Sequence, residues 1–258
     1  MLGPLLDVVY PRRCAGCGRG PWPFCDPCHA ALLPIEPPWC IRCARPAERD
    51  VDGCAWCPPP PVSLARAPFV FRGPARSAVH RLKYAGWRAV AGALGGAMLL
   101  ANECRRPDVV CWVPASARRR ARRGYDQAEA LAAAVARSLE APVAGLLRRR
   151  GEAAPQARRV GAERRAAMAG AFRLAQRGGV PARVLLIDDV LTTGATAAAC
   201  ASVLAAGGAA QIAVLTAARA VPARLPARYT RVGSRPGLWL PGEAFPGSRC
   251  QPRAKRPT

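Results

Sequence analysis

Residues 184–196 read VLLIDDVLTTGAT: four apolar residues run into two adjacent carboxylates and then into a Thr-Thr-Gly-Ala-Thr loop. The apolar run Val184–Ile187 suits a strand covered on both faces, as in a parallel sheet. The segment AAACASVLAAGG, from Ala197 to Gly208, suits a helix stopped by glycine. Asp188, Asp189 and the hydroxyl loop therefore fall at the carboxyl end of a strand, just before a helix N-terminus. Open α/β sheets bind ligands there, and backbone N–H groups gather there round phosphates. A helix cap from Thr196 would account for one hydroxyl. It would leave unexplained two carboxylates close enough to repel each other, a cost that a ligand or cation relieves.

The whole stretch resembles the phosphoribosyl-pyrophosphate (PRPP) motif of type I phosphoribosyltransferases. That resemblance implies that Asp188 and Asp189 face the ribose 2- and 3-hydroxyls, directly or through Mg2+. It also implies that Thr192, Thr193, Gly194, Ala195 and Thr196 wrap the 5-phosphate. Hypoxanthine/guanine salvage enzymes carry an Asp where this chain has Thr192, which argues against that subclass.

The first sixty residues obey a different constraint. CAGC (14–17), CDPC (25–28), CIRC (40–43) and CAWC (54–57) are four C-x-x-C knuckles in close succession. Each knuckle points two sulfurs at one centre, and two knuckles complete a tetrahedral zinc site of four thiolates. Two zinc ribbons in sequence follow, Cys14/Cys17/Cys25/Cys28 and Cys40/Cys43/Cys54/Cys57, with an interleaved cross-brace left open by the spacing. So small a segment buries little core, and its metal ligands set its fold. A redox role lacks the thioredoxin-like strand pattern. Cys104, Cys111, Cys200 and Cys250 stand alone and read as buried or free thiols, and His29 as a bystander.

With 39 Lys+Arg against 16 Asp+Glu the formal charge is +23, yet only Lys83 and Lys255 are lysines. That arginine skew is also what a GC-rich coding sequence produces, so charge alone does not single out nucleic acid. The apolar segment 89–101 is too short and too rich in Ala and Gly for a membrane span. The N-terminus lacks the charged region of a signal peptide. Together with the reduced cysteines these features point to a cytoplasmic protein.

The chain divides into a zinc module with a Pro-rich linker (1–62), an α/β domain (63–220) and a basic Pro/Gly-rich tail (221–258), read as disordered. Strands are expected at 68–71, 109–113, 142–147, 171–174, 184–187 and 210–217, forming a mostly parallel sheet. Helices are expected over 78–104, with a break near Gly86, and over 126–140, opened by an Asp-x-x-Glu capping box with Leu131, Val135 and Leu139 on one face. Between strand and helix, residues 112–129 read as a loop of five Arg. Residues 146–165 read as a mobile basic lid, the position at which type I enzymes close a loop over substrate.

Three further blocks sharpen the resemblance. RLKYAGWR (81–88), RGYDQAEALA (123–132) and APQARRVGAERRAAMAGAF (154–172) are similar to segments of the ComF family, which sets zinc knuckles ahead of a phosphoribosyltransferase domain. Asp126 stands where that family has Asn, and Met168 where Val is usual; Asp126 fits a helix cap. The resemblance implies an α/β fold with a sheet of the type I phosphoribosyltransferase kind behind a double zinc ribbon. It implies two Zn2+, and PRPP bound with Mg2+ and losing pyrophosphate on phosphoribosyl transfer. Lys83, Arg122 and Arg123 would steady that leaving group, with Arg158 and Arg159 in the lid. It also implies a link to natural competence, with imported single-stranded DNA and competence-machinery proteins as partners. The competing reading is a non-catalytic DNA-binding accessory protein whose pocket serves as a nucleotide sensor.

Overall fold

A computed structural model describes residues 13–102, 106–150, 170–176, 178–221 and 225–229. Cysteine-rich turns and a short helix α1 (Asp26–Ala30) come first, then β1 (Val62–Arg66), β2 (Phe69–Val70), α2 (Gly73–Tyr84) and α3 (Val90–Leu100). They are followed by β3 (Val109–Trp112), α4 (Ala117–Arg123), α5 (Gln127–Leu139), β4 (Leu147–Arg149) and β5 (Phe172–Leu174). β6 (Arg183–Leu191), α6 (Ala195–Ala206), β7 (Gln211–Arg219) and a 3-10 turn at Ala227–Tyr229 complete the described elements.

The sheet runs β1-β7-β6-β3, all parallel, and β2 extends it by pairing with the end of β7. Alternation along β6 explains why both faces are buried. Val184 and Leu186 face α6 through Cys200 and Leu204, in a core that also takes in Cys40 and Cys43. Leu185 and Ile187 face the other way, toward Leu82 of α2, Leu94 of α3 and Leu131 of α5. The α/β architecture with a mainly parallel sheet behind a cysteine-rich ribbon is the one the sequence implied.

Several elements differ in detail. β6 continues through both acids to Leu191, so they lie inside the paired strand, with Asp188 opposite Thr216. The expected strand at 142–147 is split: Val143 makes a single bridge to Val110, and Leu147 opens β4. The arginine run is helical rather than loop. Ser116 caps α4 by accepting from the Arg119 N–H, arginine is a good helix former, and Gly124 ends the helix at φ 73°. β4 and β5 pair antiparallel on either side of the basic stretch, most of which (151–169) lies outside the described residues with Arg158 and Arg159.

The ribbon region is hydrogen-bonded into the sheet. The Ala65 N–H donates to the Arg42 carbonyl (2.8 Å), the Ile35 N–H to Pro68 (2.8 Å) and the Val70 N–H to Leu33 (2.8 Å). Within the segment read as tail, Leu225 and Tyr229 pack with Ile35 and Val70, and the Glu36 N–H donates to the Tyr229 hydroxyl. Residues 230–258 lie outside the described ones.

α3 crosses α5 so closely that a Cβ on Gly95 would sit 2.8 Å from the Ala134 Cβ, whereas one on Gly96 would meet nothing within 4 Å. Gly95→Val should therefore destabilise the protein by about 1–3 kcal/mol through overpacking. Gly96→Ala should stabilise it by roughly 1 kcal/mol through helix propensity. Denaturant titrations of the two variants beside the parent measure both shifts.

Candidate functional site

Asp188 and Asp189 alternate along β6, and their environments differ. Asp189 is 6% exposed and held from two sides. Lys83 Nζ, from the last turn of α2, lies 2.7 Å from its Oδ1, and Gln127 Nε2, from the first turn of α5, donates to its Oδ2 at 2.9 Å. Gln127 is held in turn by Arg123, whose guanidinium donates to its side-chain oxygen. Asp188 is half-buried, and its Oδ1 accepts the Asp189 N–H at 2.8 Å. Burial, reinforced by the neighbouring Asp189 charge, pushes the Asp188 carboxyl up to about 8.

The hydroxyl loop follows at once. Thr192 is exposed, and the Thr193 hydroxyl accepts the Ala195 N–H at 3.4 Å. Gly194 is the N-cap of α6 at φ 75°, so no side chain caps that helix, and Ala195 and Thr196 form its first turn. The capping role considered for Thr196 therefore does not apply. Gly194 also packs under Pro58, where a Cβ would come within 2.9 Å, so both backbone and space require glycine there. Asp126 does act as a cap: it accepts the Ala128 N–H (3.0 Å) and also ties down the Ala115 N–H (2.7 Å) at the end of β3.

The structure thus brings Asp188, Asp189, Lys83 and Arg123 together, with Lys83 paired to an acid rather than free. Arg122 stands further out, beside the Tyr84 ring. Gln127 was missed by the sequence reading. Its only signal was its place in the 123–132 block.

The cysteines resolve the question of zinc ligation. Cys14, Cys17, Cys25 and Cys28 form one cluster and Cys40, Cys43, Cys54 and Cys57 another, with the sulfurs of each within 4.8 Å of one another. The arrangement is sequential, not interleaved. Tetrahedral Zn–S bonds of about 2.3 Å require S···S edges of about 3.8 Å. The separations Cys17–Cys25 (3.7 Å), Cys43–Cys54 (3.6 Å) and Cys54–Cys57 (3.8 Å) fit that requirement. Burial and neighbouring sulfurs push the Cys28 thiol up to about 12, while N–H groups of Gly20 and Arg19 draw Cys17 down to about 6. The two tetrads fit two zinc ions. Arg219, 1% exposed at the end of β7, donates to the Cys43 sulfur (3.3 Å) and the Trp56 carbonyl (3.2 Å), placing a positive charge beside the second tetrad. Cys111 and Cys200 are buried in the sheet's core, and Cys104 and Cys250 lie outside the described residues. No helix among the described residues is long and apolar enough to cross a membrane.

Residues 5–58 match the double zinc ribbon domain family. The chain is 30% identical over 208 residues to DNA utilization protein YhgH of Escherichia coli O157:H7, covering 76% of this chain and 89% of that protein. The proteins of the same name from Escherichia coli K12 (29% over 208 residues) and Salmonella typhimurium LT2 (30% over 208 residues) align similarly. The chain belongs to the ComF family. Two of the ComF-like blocks meet at Asp189, Lys83 coming from residues 81–88 and Gln127 from 123–132.

For this ComF protein, metal analysis should return two zinc equivalents, and Cys14→Ser with Cys17→Ser should release about one. A second expectation comes from Asp188. Its folded-state pKa lies above the unfolded value, so the folded state holds the extra proton between about pH 4 and 8 and stability falls as pH rises through that window. Asp188→Asn removes this penalty. Its stability gain over the parent should be larger at pH 8 than at pH 6 in urea titrations, and an equal gain at both would contradict the raised pKa.

Proposed function

We propose that this ComF protein binds PRPP at the carboxyl edge of β6 and acts in the cytoplasm on imported single-stranded DNA. The observation carrying the first half is the juxtaposition of half-buried Asp188 with the N-terminus of α6, whose cap residue Gly194 has no side chain. A ribose phosphate has hydroxyls at one end and an anion at the other. Asp188 meets the former and the backbone N–H groups of Gly194–Thr196, with the Thr192 and Thr193 hydroxyls, the latter. Asp188 Oδ2, the oxygen of the acid pair with no partner among the described residues, is the hard donor that Mg2+ would take in exchange for the carboxyl's proton. When bound, Mg2+ would neutralise charge between ribose and pyrophosphate. Arg123, with a buried Nε that has no partner among the described residues, and Arg122, both beside the Tyr84 ring, are the cations that would take the pyrophosphate. Transfer to an acceptor then needs no side-chain nucleophile: the acids hold the ribose as positive charge develops at its C1, and the arginines receive the leaving group.

The DNA half rests on the name of the relatives, on the charge of +23 and on the exposed arginines of α4. One observation favours a second reading. The Lys83–Asp189 pair already neutralises one acid, as suits a pocket that holds a phosphoribosyl ligand as a signal without turnover.

Calorimetry with PRPP and Mg2+ tests the proposal, and absence of binding would overturn it. Measured above pH 8, where the Asp188 carboxyl has given up its proton, Asp188→Asn, which leaves the Lys83–Asp189 pair intact, should lower PRPP affinity by about tenfold to a hundredfold, the loss of one or two charge-assisted hydrogen bonds. Pyrophosphate release with candidate nucleobases separates enzyme from sensor.

A further inference from the structure

Tyr84 ends α2 with 62% of its surface exposed, the most of any large apolar side chain among the described residues. Neighbouring aromatics are committed to packing. The Tyr125 hydroxyl donates to the Leu82 carbonyl under the Arg88 guanidinium, and Trp87 lies beneath Arg81. Tyr84 instead presents its ring to solvent, with the guanidinium carbons of Arg123 and Arg122 at 5.1 and 6.0 Å from its centroid and the His80 ring edge-on at 5.6 Å. Those two arginines belong to α4, which carries Arg118, Arg119 and Arg120 as well and no acid. Its seven residues span roughly 10 Å, more charge and more length than one small phosphate ligand needs.

We infer that Tyr84 is a stacking platform for an unpaired base of single-stranded DNA, with the α4 arginines and Arg88 holding the flanking phosphates. This rests on the DNA half of the function proposed above. The ligand chemistry follows from the pairing of features. An exposed aromatic ring binds another π-system, and guanidiniums beside it select one joined to phosphates. In a duplex that base face is already stacked; in a single strand it is free. PRPP itself has no aromatic ring to stack. Lys83 adjoins Tyr84 and reaches Asp189, so the platform lies one residue along α2 from the cation that holds this acid.

The test is fluorescence anisotropy of the full-length, zinc-loaded protein with an oligothymidylate and with an abasic strand of equal length, across a salt series. The two strands carry the same charge and differ only in bases. The parent should prefer the thymidine strand by about tenfold, the value of one to two stacked bases. Tyr84→Ala should bind both strands with the parent's abasic affinity, and Tyr84→Trp should keep the preference. Arg119→Ala with Arg122→Ala should weaken both strands alike and flatten the salt dependence by about 0.7 for each phosphate no longer held. Zinc content and melting temperature equal to the parent's certify the fold of Tyr84→Ala, whose ring is exposed. A Tyr84→Ala protein that keeps the thymidine preference, or a parent that shows none, overturns the platform. A parent that binds neither strand overturns the DNA half of the proposed function itself.

Discussion

The ion pair between Lys83 and Asp189, 2.7 Å long and mostly out of water, joins the last turn of α2 to the end of the central strand β6. Removing one partner of such a pair leaves an uncompensated buried charge, at about 3–5 kcal/mol. Its surroundings are arranged accordingly. Gln127 satisfies the second oxygen of Asp189, and Asp126 fixes the start of α5 so that Gln127 is aimed. Arg81, two residues before Lys83 on α2, donates to the carbonyls of Ala15 and Gly16 in the first ribbon. One carboxylate thus sets the positions of two helices, and through α2 it communicates with a zinc-binding turn.

The second ribbon is fastened to the same edge of the sheet by a different charge. Arg219 lies buried at the end of β7, opposite Leu191 of β6, and reaches up to Cys43 and Trp56. A buried guanidinium is costly alone, and a tetrathiolate metal centre carries the negative charge that offsets it. Pro58, the residue after the last cysteine ligand, rests on Gly194 at the start of α6. The second ribbon is therefore packed against the carboxyl edge of β6 and the start of α6 rather than standing as an appendage beside them.

Much of this was legible in the sequence wherever the signal is local. The C-x-x-C turns identify their own ligands because two sulfurs three residues apart must converge, and the apolar run ahead of Asp188 announces a strand buried on both faces. Pairings across the chain were not legible. Nothing near Lys83 points to an acid more than a hundred residues away, and Arg219 carries no mark of its sulfur partner. The arginine run misled because its charge suggested a solvated loop, while Ser116 as cap, good helix propensity and Gly124 as terminator wrote a helix. The 142–147 segment misled in the opposite direction, since its apolar residues serve two separate pairings interrupted at Gly145, which lies against the Trp112 ring.

The docking of the second ribbon on Arg219 also orders events in time. Trp56 and Arg219 are 163 residues apart, so at about 5–20 residues per second of synthesis the ribbon emerges roughly 10–30 s before the strand that will receive it. Throughout that interval eight thiols have no sheet to cover them. Four thiolates converging on one metal ion can hold so small a segment without a sheet, so the tetrads are able to close before β7 is made.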